Sequence, residues 1–124
     1  MNDPARDAVS DPDCVFCRIV RGEVPADFVH QDDLVLAFSD INPKAPTHLL
    51  IMPRVHIDSA ADLAETDAQM LGRMFAVAAN LARETGIADR GFRLVTNSGP
   101  AAGQSVDHLH FHLLGGRSMS WPPG

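Results

Sequence analysis

Short segments of apolar and polar residues predict most of the strands. The segments 27–33 and 34–40 meet at the polar pair Asp32 and Asp33, which is typical of a β-hairpin. The run THLLIMP, 47–53, is almost wholly apolar and ends at a proline, as a buried strand does. Segments 91–97 and 105–114 predict two more strands.

Two other segments have helical character. Apolar residues at 70, 71, 74, 75, 77, 78 and 81 predict one long amphipathic helix, with Thr66 as its N-cap and Gly86 at its end. The segment CVFCRIVRGEVP, 14–25, predicts a short N-terminal helix. The resulting fold class is α+β, with a mostly antiparallel five-stranded meander sheet. We predict a flexible tail at 1–12 and a single domain at 13–124.

Composition and charge exclude several classes of function. Apolar residues make up 45% of the chain and the formal net charge is −6, which indicates a globular domain that does not bind nucleic acid through a basic surface. No apolar run approaches the ~18 residues of a membrane helix. The polar N-terminus also lacks the apolar segment of a signal peptide. We therefore expect a cytoplasmic location and no membrane partner.

The segment GQSVDHLHFHLLGG, 103–116, contains half of the six histidines. They are His108, His110 and His112, with Leu109, Phe111 and Leu113 between and after them. Residues i, i+2 and i+4 of a strand share one face, so this alternation predicts a histidine face opposite a core face. Three histidines on one straight strand converge poorly on a tetrahedral metal. A neutral imidazole can instead attack phosphorus when its second nitrogen donates to an acceptor.

The loop before the histidines suits the same chemistry. In NSGPAAGQS, 97–105, Gly99 and Gly103 would let backbone N–H groups approach phosphate oxygens. The loop and the histidines together indicate a phosphate site.

The segment HLHFHLL follows the pattern His-φ-His-φ-His-φ-φ, where φ is apolar, and resembles the histidine triad family of nucleotide hydrolases and transferases. The stretch CRIVRGEVPADFVHQDDLVLAFSDINPKAPTHLLIMPRVHI, 17–57, resembles the first half of that family. The ending AGQSVDHLHFHLLGGRSMSWPPG resembles its nucleoside phosphoramidase branch. The resemblance covers about 13–124. It implies hydrolysis of purine nucleoside 5′-phosphoramidates through a nucleotidyl-histidine intermediate, which releases a nucleoside monophosphate and an amine.

The resemblance also implies roles for individual residues. His110 would be the nucleophile, His112 would donate hydrogen bonds to the phosphate oxygens, and His108 would support them. Ser105 would contact the leaving group, and Asp40 would accept hydrogen bonds from both ribose hydroxyls. The remaining nucleotide-binding residues would be Val15, Phe16, Phe38 and Ile41 around the purine, and Asn97, Gly103 and Gln104 near the phosphate.

Members of this branch are homodimers in which the C-terminal segment reaches the partner's active site. The resemblance therefore implies a homodimer whose sheet extends across both subunits. Trp121 would shape leaving-group specificity there.

The only two cysteines, Cys14 and Cys17, lie three positions apart, which suggests a metal or redox pair. Some relatives hold zinc with such a pair and two distant histidines. Those histidines would be His48 and His108 here, a closed structural Cys₂His₂ site. Branch members without the pair imply that catalysis requires no cofactor. His30 and His56 receive no role.

Two other functions remain open at this point. Another branch of the family hydrolyses dinucleoside polyphosphates, although the GGRSMSWPPG ending favours the phosphoramidase. The chain could also be a nucleotide-binding interaction module whose activity is incidental.

Overall fold

The computed structural model describes residues 10–124, so most of the predicted tail lies outside the described residues. Helix α1 spans Val15–Val20 and the long helix α2 spans Ala68–Glu84. The five strands are β1 Phe28–Gln31, β2 Val35–Ser39, β3 Thr47–Pro53, β4 Phe92–Val95 and β5 Phe111–Gly115. Short 3₁₀ turns lie at Ala60–Asp62, Glu65–Asp67 and Pro100–Ala102.

All the strands pair antiparallel, in the order β1-β2-β3-β5-β4. This confirms the predicted α+β class and the five-stranded sheet. The last two strands stand in the reverse of the order that an uninterrupted meander would have. Because β5 lies between β3 and β4, the histidine segment enters the middle of the sheet.

The sheet is covered on both faces, which the alternation along β2 and β3 requires. Val35, Ala37 and Ile51 pack in one cluster with the buried face of α2. Leu36 and Met52, whose side chains point the opposite way, pack in a second cluster with α1. Each fully buried aliphatic side chain of this kind stabilises the fold by about 1.5–3 kcal/mol.

Helix α2 begins slightly later than predicted. A 3₁₀ turn at Glu65–Asp67 precedes it, so Asp67 and not Thr66 occupies the N-cap position. The Asp67 carboxylate accepts the Ala64 N–H at 2.8 Å and so closes that turn. The predicted end of the helix is confirmed, because Gly86 follows the C-cap with a φ of 83°.

The histidine segment joins the sheet later than predicted. Regular pairing starts at Phe111, and residues 108–110 precede it. The backbone there has other partners: Leu109 N–H donates to the Ile57 carbonyl at 2.6 Å. The predicted alternation is nevertheless present, because Leu109, Phe111 and Leu113 all lie in the cluster beneath α2.

Within residues 10–124, none of the helices has the length and apolar character needed to cross a bilayer.

Asp32 joins the β1–β2 turn to α2 through hydrogen bonds. Its carboxylate accepts the backbone N–H groups of Leu34 and Val35 at 2.7 and 2.9 Å. It also lies 2.6 Å from His30 Nε2 and 2.9 Å from Arg73 Nε. Burial alone would raise the Asp32 pKa, but these hydrogen bonds outweigh burial and hold that pKa well below its usual range.

Asp32→Ala should lower the free energy of unfolding by about 1–3 kcal/mol, because several donors lose one acceptor. An aspartate with a lowered folded-state pKa stabilises the protein above its unfolded-state pKa. The difference between wild type and variant should therefore shrink as the pH falls below about 4. Urea unfolding of wild type and variant at several pH values measures this difference in the free energy of unfolding. Asp33→Ala changes an exposed neighbour and should have little effect; equal losses from both variants would contradict this role for Asp32.

Candidate active site

His110 immediately precedes β5, and the backbone sets the orientation of its ring. Its Nδ1–H donates to the His108 carbonyl at 2.6 Å. A carbonyl cannot donate, so the proton lies on Nδ1 and the lone pair on Nε2. The Thr96 hydroxyl donates to the His110 carbonyl at 2.8 Å. The residue is 5% exposed, and burial lowers the pKa of His110, which keeps the ring neutral.

A chain of hydrogen bonds sets the tautomer of His112 as well. Lys44 N–H donates to His48 Nδ1 at 3.0 Å, so the proton of neutral His48 is on Nε2. That nitrogen lies 2.9 Å from His112 Nδ1, which must accept. The proton of His112 is therefore on Nε2. Burial, followed by the charges of neighbouring histidines, lowers the pKa of His112 to about 4.

A pocket of about 470 Å³ opens beside the His112 ring, and His110 is not among the residues that line it. The pocket brings together five of the predicted site residues, which are Asp40, His48, Asn97, Ser105 and His112. The ring centroids of His112 and His110 are 5.0 Å apart, so the two imidazoles are in contact. Asp40 Oδ2 lies 3.4 Å from His48 Nε2, and Asp40 Oδ1 accepts the Asn42 N–H at 2.8 Å.

The glycine-rich loop is held by the side chain of Gln104. Gln104 Oε1 accepts the Gly99 N–H at 2.8 Å, and its Nε2 donates to the Asp58 carbonyl at 2.6 Å. Gly99 and Gly103 both have a φ of 87°, which favours glycine. The Gly99 N–H is thus already paired, and Gln104 acts in this structure as the brace of the loop.

The four residues predicted around the purine differ in exposure. Phe16 and Phe38 are buried and pack edge to face, with ring centroids 5.6 Å apart. Val15 and Ile41 expose 40% and 92% of their surface. Trp121 is 81% exposed, and the Arg93 guanidinium lies 6.0 Å from the centre of its ring.

The two cysteines belong to a separate group that we call the Cys-His cluster. Its members are Cys14, Cys17, His56 and His108, whose ligand atoms all lie within 4.8 Å of one another. The structure places His56 in this group, and the predicted fourth ligand His48 lies elsewhere. The register explains the error: His48 pairs with Leu114 in the β3–β5 ladder, about 20 Å along the sheet from the position opposite His108. His56, three residues beyond β3, lies on that side.

The Cys-His cluster fits zinc. Four such ligands on a tetrahedral zinc have sulfur and nitrogen atoms about 3.5 Å apart. Here His108 Nδ1 lies 3.5 and 3.6 Å from the sulfurs of Cys14 and Cys17, and His56 Nδ1 lies 3.2 Å from that of Cys17.

Both histidines of the cluster direct Nδ1 at the sulfurs because their Nε2–H groups are already paired. His108 Nε2 donates to the Pro53 carbonyl at 2.9 Å, and His56 Nε2 lies 2.6 Å from the Asp58 carboxylate. Such outer hydrogen bonds orient metal-binding histidines. Burial raises the pKa of the Cys14 thiol to about 11.

Asp40, His48 and His112 form a second group of metal-ligand types. The hydrogen bonds of this group disfavour metal binding. His48 Nδ1 accepts the Lys44 N–H, so a metal on His48 Nε2 would require a doubly deprotonated ring or the loss of that bond. We interpret this group as a hydrogen-bonded relay.

Several functional contacts were missed from the sequence. Thr96, His56 and Asp58 had no assigned role, and Gln104 was assigned to the phosphate. The one available signal is the spacing His-x-Asp at 56–58, but His30 and Asp32 have the same spacing and a similar 2.6 Å contact away from the site. The His-x-Asp spacing by itself therefore does not identify a metal ligand.

Comparison with known proteins identifies the family. The profile of the HIT domain family matches residues 21–119. The chain is 50% identical over 105 residues to the purine nucleoside phosphoramidase of Escherichia coli (strain K12), covering 85% of this chain and 88% of that protein. It is 46% identical over 118 residues to the 14 kDa zinc-binding protein of Zea mays, covering 94% and 91%. A HIT family hydrolase from Legionella pneumophila Philadelphia 1 has a similar structure, with a TM-score of 0.89, 48% identity, and coverage of 90% of this chain and 100% of that chain.

The chain therefore belongs to the HIT domain family. The prediction of an enzyme, a hydrolase of this family, agrees with both the curated bacterial relative and the solved structure.

The corrected ligand set makes a direct prediction about metal. Protein purified without added zinc should contain close to one zinc per chain, because a closed site of this kind binds tightly. His56→Asn should lose that zinc, whereas His48→Asn, a change to the other candidate histidine, should retain it. Elemental analysis of the two variants and the wild type is the measurement. Less than about a tenth of an equivalent in the wild type, or loss in His48→Asn alone, would contradict the assignment.

Proposed function

We propose that the chain hydrolyses purine nucleoside 5′-phosphoramidates by cleaving the P–N bond. The observation that carries this proposal is the tautomer of His110, which is neutral and holds its proton on Nδ1. The ring therefore offers an unprotonated Nε2 as nucleophile. The 50% identity to a bacterial purine nucleoside phosphoramidase supports the choice of substrate class.

In the first step, His110 Nε2 attacks the α-phosphorus and forms an N–P bond while the P–N bond to the amine breaks. The ring of the nucleotidyl-histidine becomes positively charged. That charge is stabilised by the hydrogen bond from Nδ1–H to the His108 carbonyl, which exists before the reaction. The departing amine must gain a proton to leave. The hydroxyl of Ser105, on the pocket wall, is the group that we assign to this transfer.

His112 would bind the phosphate as a neutral donor. The relay from Lys44 N–H through His48 leaves a proton on His112 Nε2, which can donate to a non-bridging oxygen. In the second step, water attacks the nucleotidyl-histidine, the N–P bond breaks, and the nucleoside monophosphate leaves. The proton that this water loses returns to the Ser105 oxygen, which gave its own proton to the amine in the first step. His110 then returns to its neutral state.

The ribose would lie against the part of the pocket that Asp40 lines. One Asp40 carboxylate oxygen accepts the Asn42 N–H and the other lies 3.4 Å from His48 Nε2. The position of Asp40 on the pocket wall supports binding of ribose hydroxyls. We propose the exposed surfaces of Val15 and Ile41 as the purine contacts, since Phe16 and Phe38 are buried. Asn97 and Ser105 line the pocket together with His112, which supports their assignment near the phosphate.

The homodimer also belongs to this proposal. Strand β4 is an edge of the sheet, and Phe92 on it is 42% exposed. Phe75 on α2 is 53% exposed. A free strand edge and two exposed aromatic rings support pairing with a second copy. The exposed Trp121 would then reach the partner's site and shape leaving-group specificity.

Zinc, where bound, would be held by the Cys-His cluster and would supply structural rigidity. Its four ligands leave no open position for a substrate atom. We therefore propose that the chemical steps use only protein side chains, chiefly His110, His112 and Ser105. The two free thiols support a reducing compartment such as the cytoplasm. The net charge of −6 opposes binding of nucleic acid.

One observation favours a second candidate, hydrolysis of dinucleoside polyphosphates. Lys44, Arg93 and Arg117 line the pocket, and none of them forms an ion pair with a carboxylate among residues 10–124. These cations would suit additional phosphates. A third possibility is a nucleotide-binding module with incidental activity.

Steady-state rates on adenosine 5′-phosphoramidate and on a diadenosine polyphosphate separate the candidates. We expect the phosphoramidate to be the better substrate. His110→Asn should lower kcat by at least about 10³-fold, because the nucleophile is lost, while AMP binding measured by calorimetry should persist. His30→Asn, which changes a histidine outside the pocket, is the control. Preference for the polyphosphate would favour the second candidate, and failure to hydrolyse either would favour the binding module.

A further inference from the structure

Each member of the Cys-His cluster adjoins a residue that holds the active site. The cysteines belong to α1, where Cys14 is the N-cap and its sulfur accepts the Cys17 N–H at 3.3 Å. Phe16 lies between them in the sequence. Its ring meets His110 edge to face, with centroids 5.1 Å apart, and meets His108 at 5.9 Å.

The second connection runs through the segment after β3. His56 is followed by Ile57, whose carbonyl accepts the Leu109 N–H at 2.6 Å, so this segment fixes the backbone next to His110. Asp58 pairs its carboxylate with His56 and its carbonyl with Gln104. Residues 56–58 therefore contact both Leu109, the neighbour of His110, and Gln104 of the glycine-rich loop.

The third connection is His108 itself. Its imidazole belongs to the cluster, while its carbonyl accepts the Nδ1–H that sets the tautomer of His110. Three separate parts of the chain thus meet at the cluster, and each one contacts His110 or its neighbours. With only six residues in α1, intrinsic helix stability is small and tertiary contacts must hold this helix in place.

We propose that Phe16 is a positioning residue which transmits metal occupancy of the Cys-His cluster to His110. Metal bound to the two cysteines and the two histidines fixes α1 against the segments 56–58 and 108–110. Phe16 is then pressed against one side of the His110 ring while the His108 carbonyl holds Nδ1–H. When the cluster is empty, α1 and the His108 backbone move more freely, and His110 samples its other tautomer and other ring orientations.

This role differs from that of a residue which only contacts the purine. Substitution of such a residue would alter KM for nucleotides and would leave the tautomer and orientation of His110 unchanged in the free protein. A positioning residue alters His110 before any substrate binds and lowers kcat more than it raises KM. The part of the proposal that concerns kcat rests on the proposed function, whereas the part that concerns the free protein does not.

The ¹⁵N signals of the His110 ring report its tautomer directly in the substrate-free protein. Spectra would be recorded for the zinc-loaded and the zinc-stripped wild type, and for zinc-loaded Phe16→Ala, Phe16→Leu and Phe28→Ala. Phe28 is the matched control: it packs on Phe38 with centroids 6.2 Å apart, as Phe16 does at 5.6 Å, but no ring contact joins it to a histidine among residues 10–124.

We expect the Nδ1–H tautomer to predominate in the zinc-loaded wild type, in Phe28→Ala and largely in Phe16→Leu, which restores bulk. Stripped wild type and zinc-loaded Phe16→Ala should show mixed tautomers. On adenosine 5′-phosphoramidate, Phe16→Ala should lower kcat about tenfold to a hundredfold, as small displacements of a reacting group do.

An unchanged His110 tautomer in zinc-loaded Phe16→Ala would overturn the proposal. An unchanged tautomer on stripping alone, or protein that takes up no zinc, would overturn the link to metal. Because the Phe16 variants are compared in the loaded state, they decide the positioning role even if stripped protein unfolds. Wild type that shows the expected tautomers but hydrolyses no phosphoramidate would instead contradict the proposed function.

Discussion

The hydrogen bond from His110 Nδ1–H to the His108 carbonyl is the interaction on which the rest of the site depends. At 2.6 Å, it assigns the proton to one nitrogen and leaves the other free to react. The backbone that supplies the acceptor is itself held, because Leu109 pairs with Ile57 and Thr96 pairs with the His110 carbonyl. The insertion of β5 between β3 and β4 brings these partners together from distant parts of the sequence.

Burial keeps the three histidine rings of the site neutral. The pKa values of His48, His110 and His112 are all lowered, chiefly because burial penalises the charged ring. Neutral rings suit a mechanism that needs one nucleophile and one donor, each with a defined tautomer. Cations on the pocket wall, such as Lys44 and Arg117, supply the local positive potential that a chain of net charge −6 lacks overall.

Much of this arrangement was predictable, because strand alternation depends only on neighbours in sequence. The core positions of Leu109, Phe111 and Leu113, the long helix and the family all followed from local patterns. The fourth member of the Cys-His cluster did not, because it depends on register. In the β3–β5 ladder Ile51 pairs with Phe111, so His48 falls beside His112 and His56 falls beside His108. No pattern within the segment 48–56 alone distinguishes these two histidines.

The central claim is that His110 attacks phosphorus and carries the nucleotide between the two steps. Excess protein mixed rapidly with adenosine 5′-phosphoramidate, quenched in alkali and digested to peptides, should yield an adenylyl adduct on His110, and His110→Asn should yield none. An adduct on another side chain, or release of the monophosphate with no adduct at any time, would contradict the mechanism.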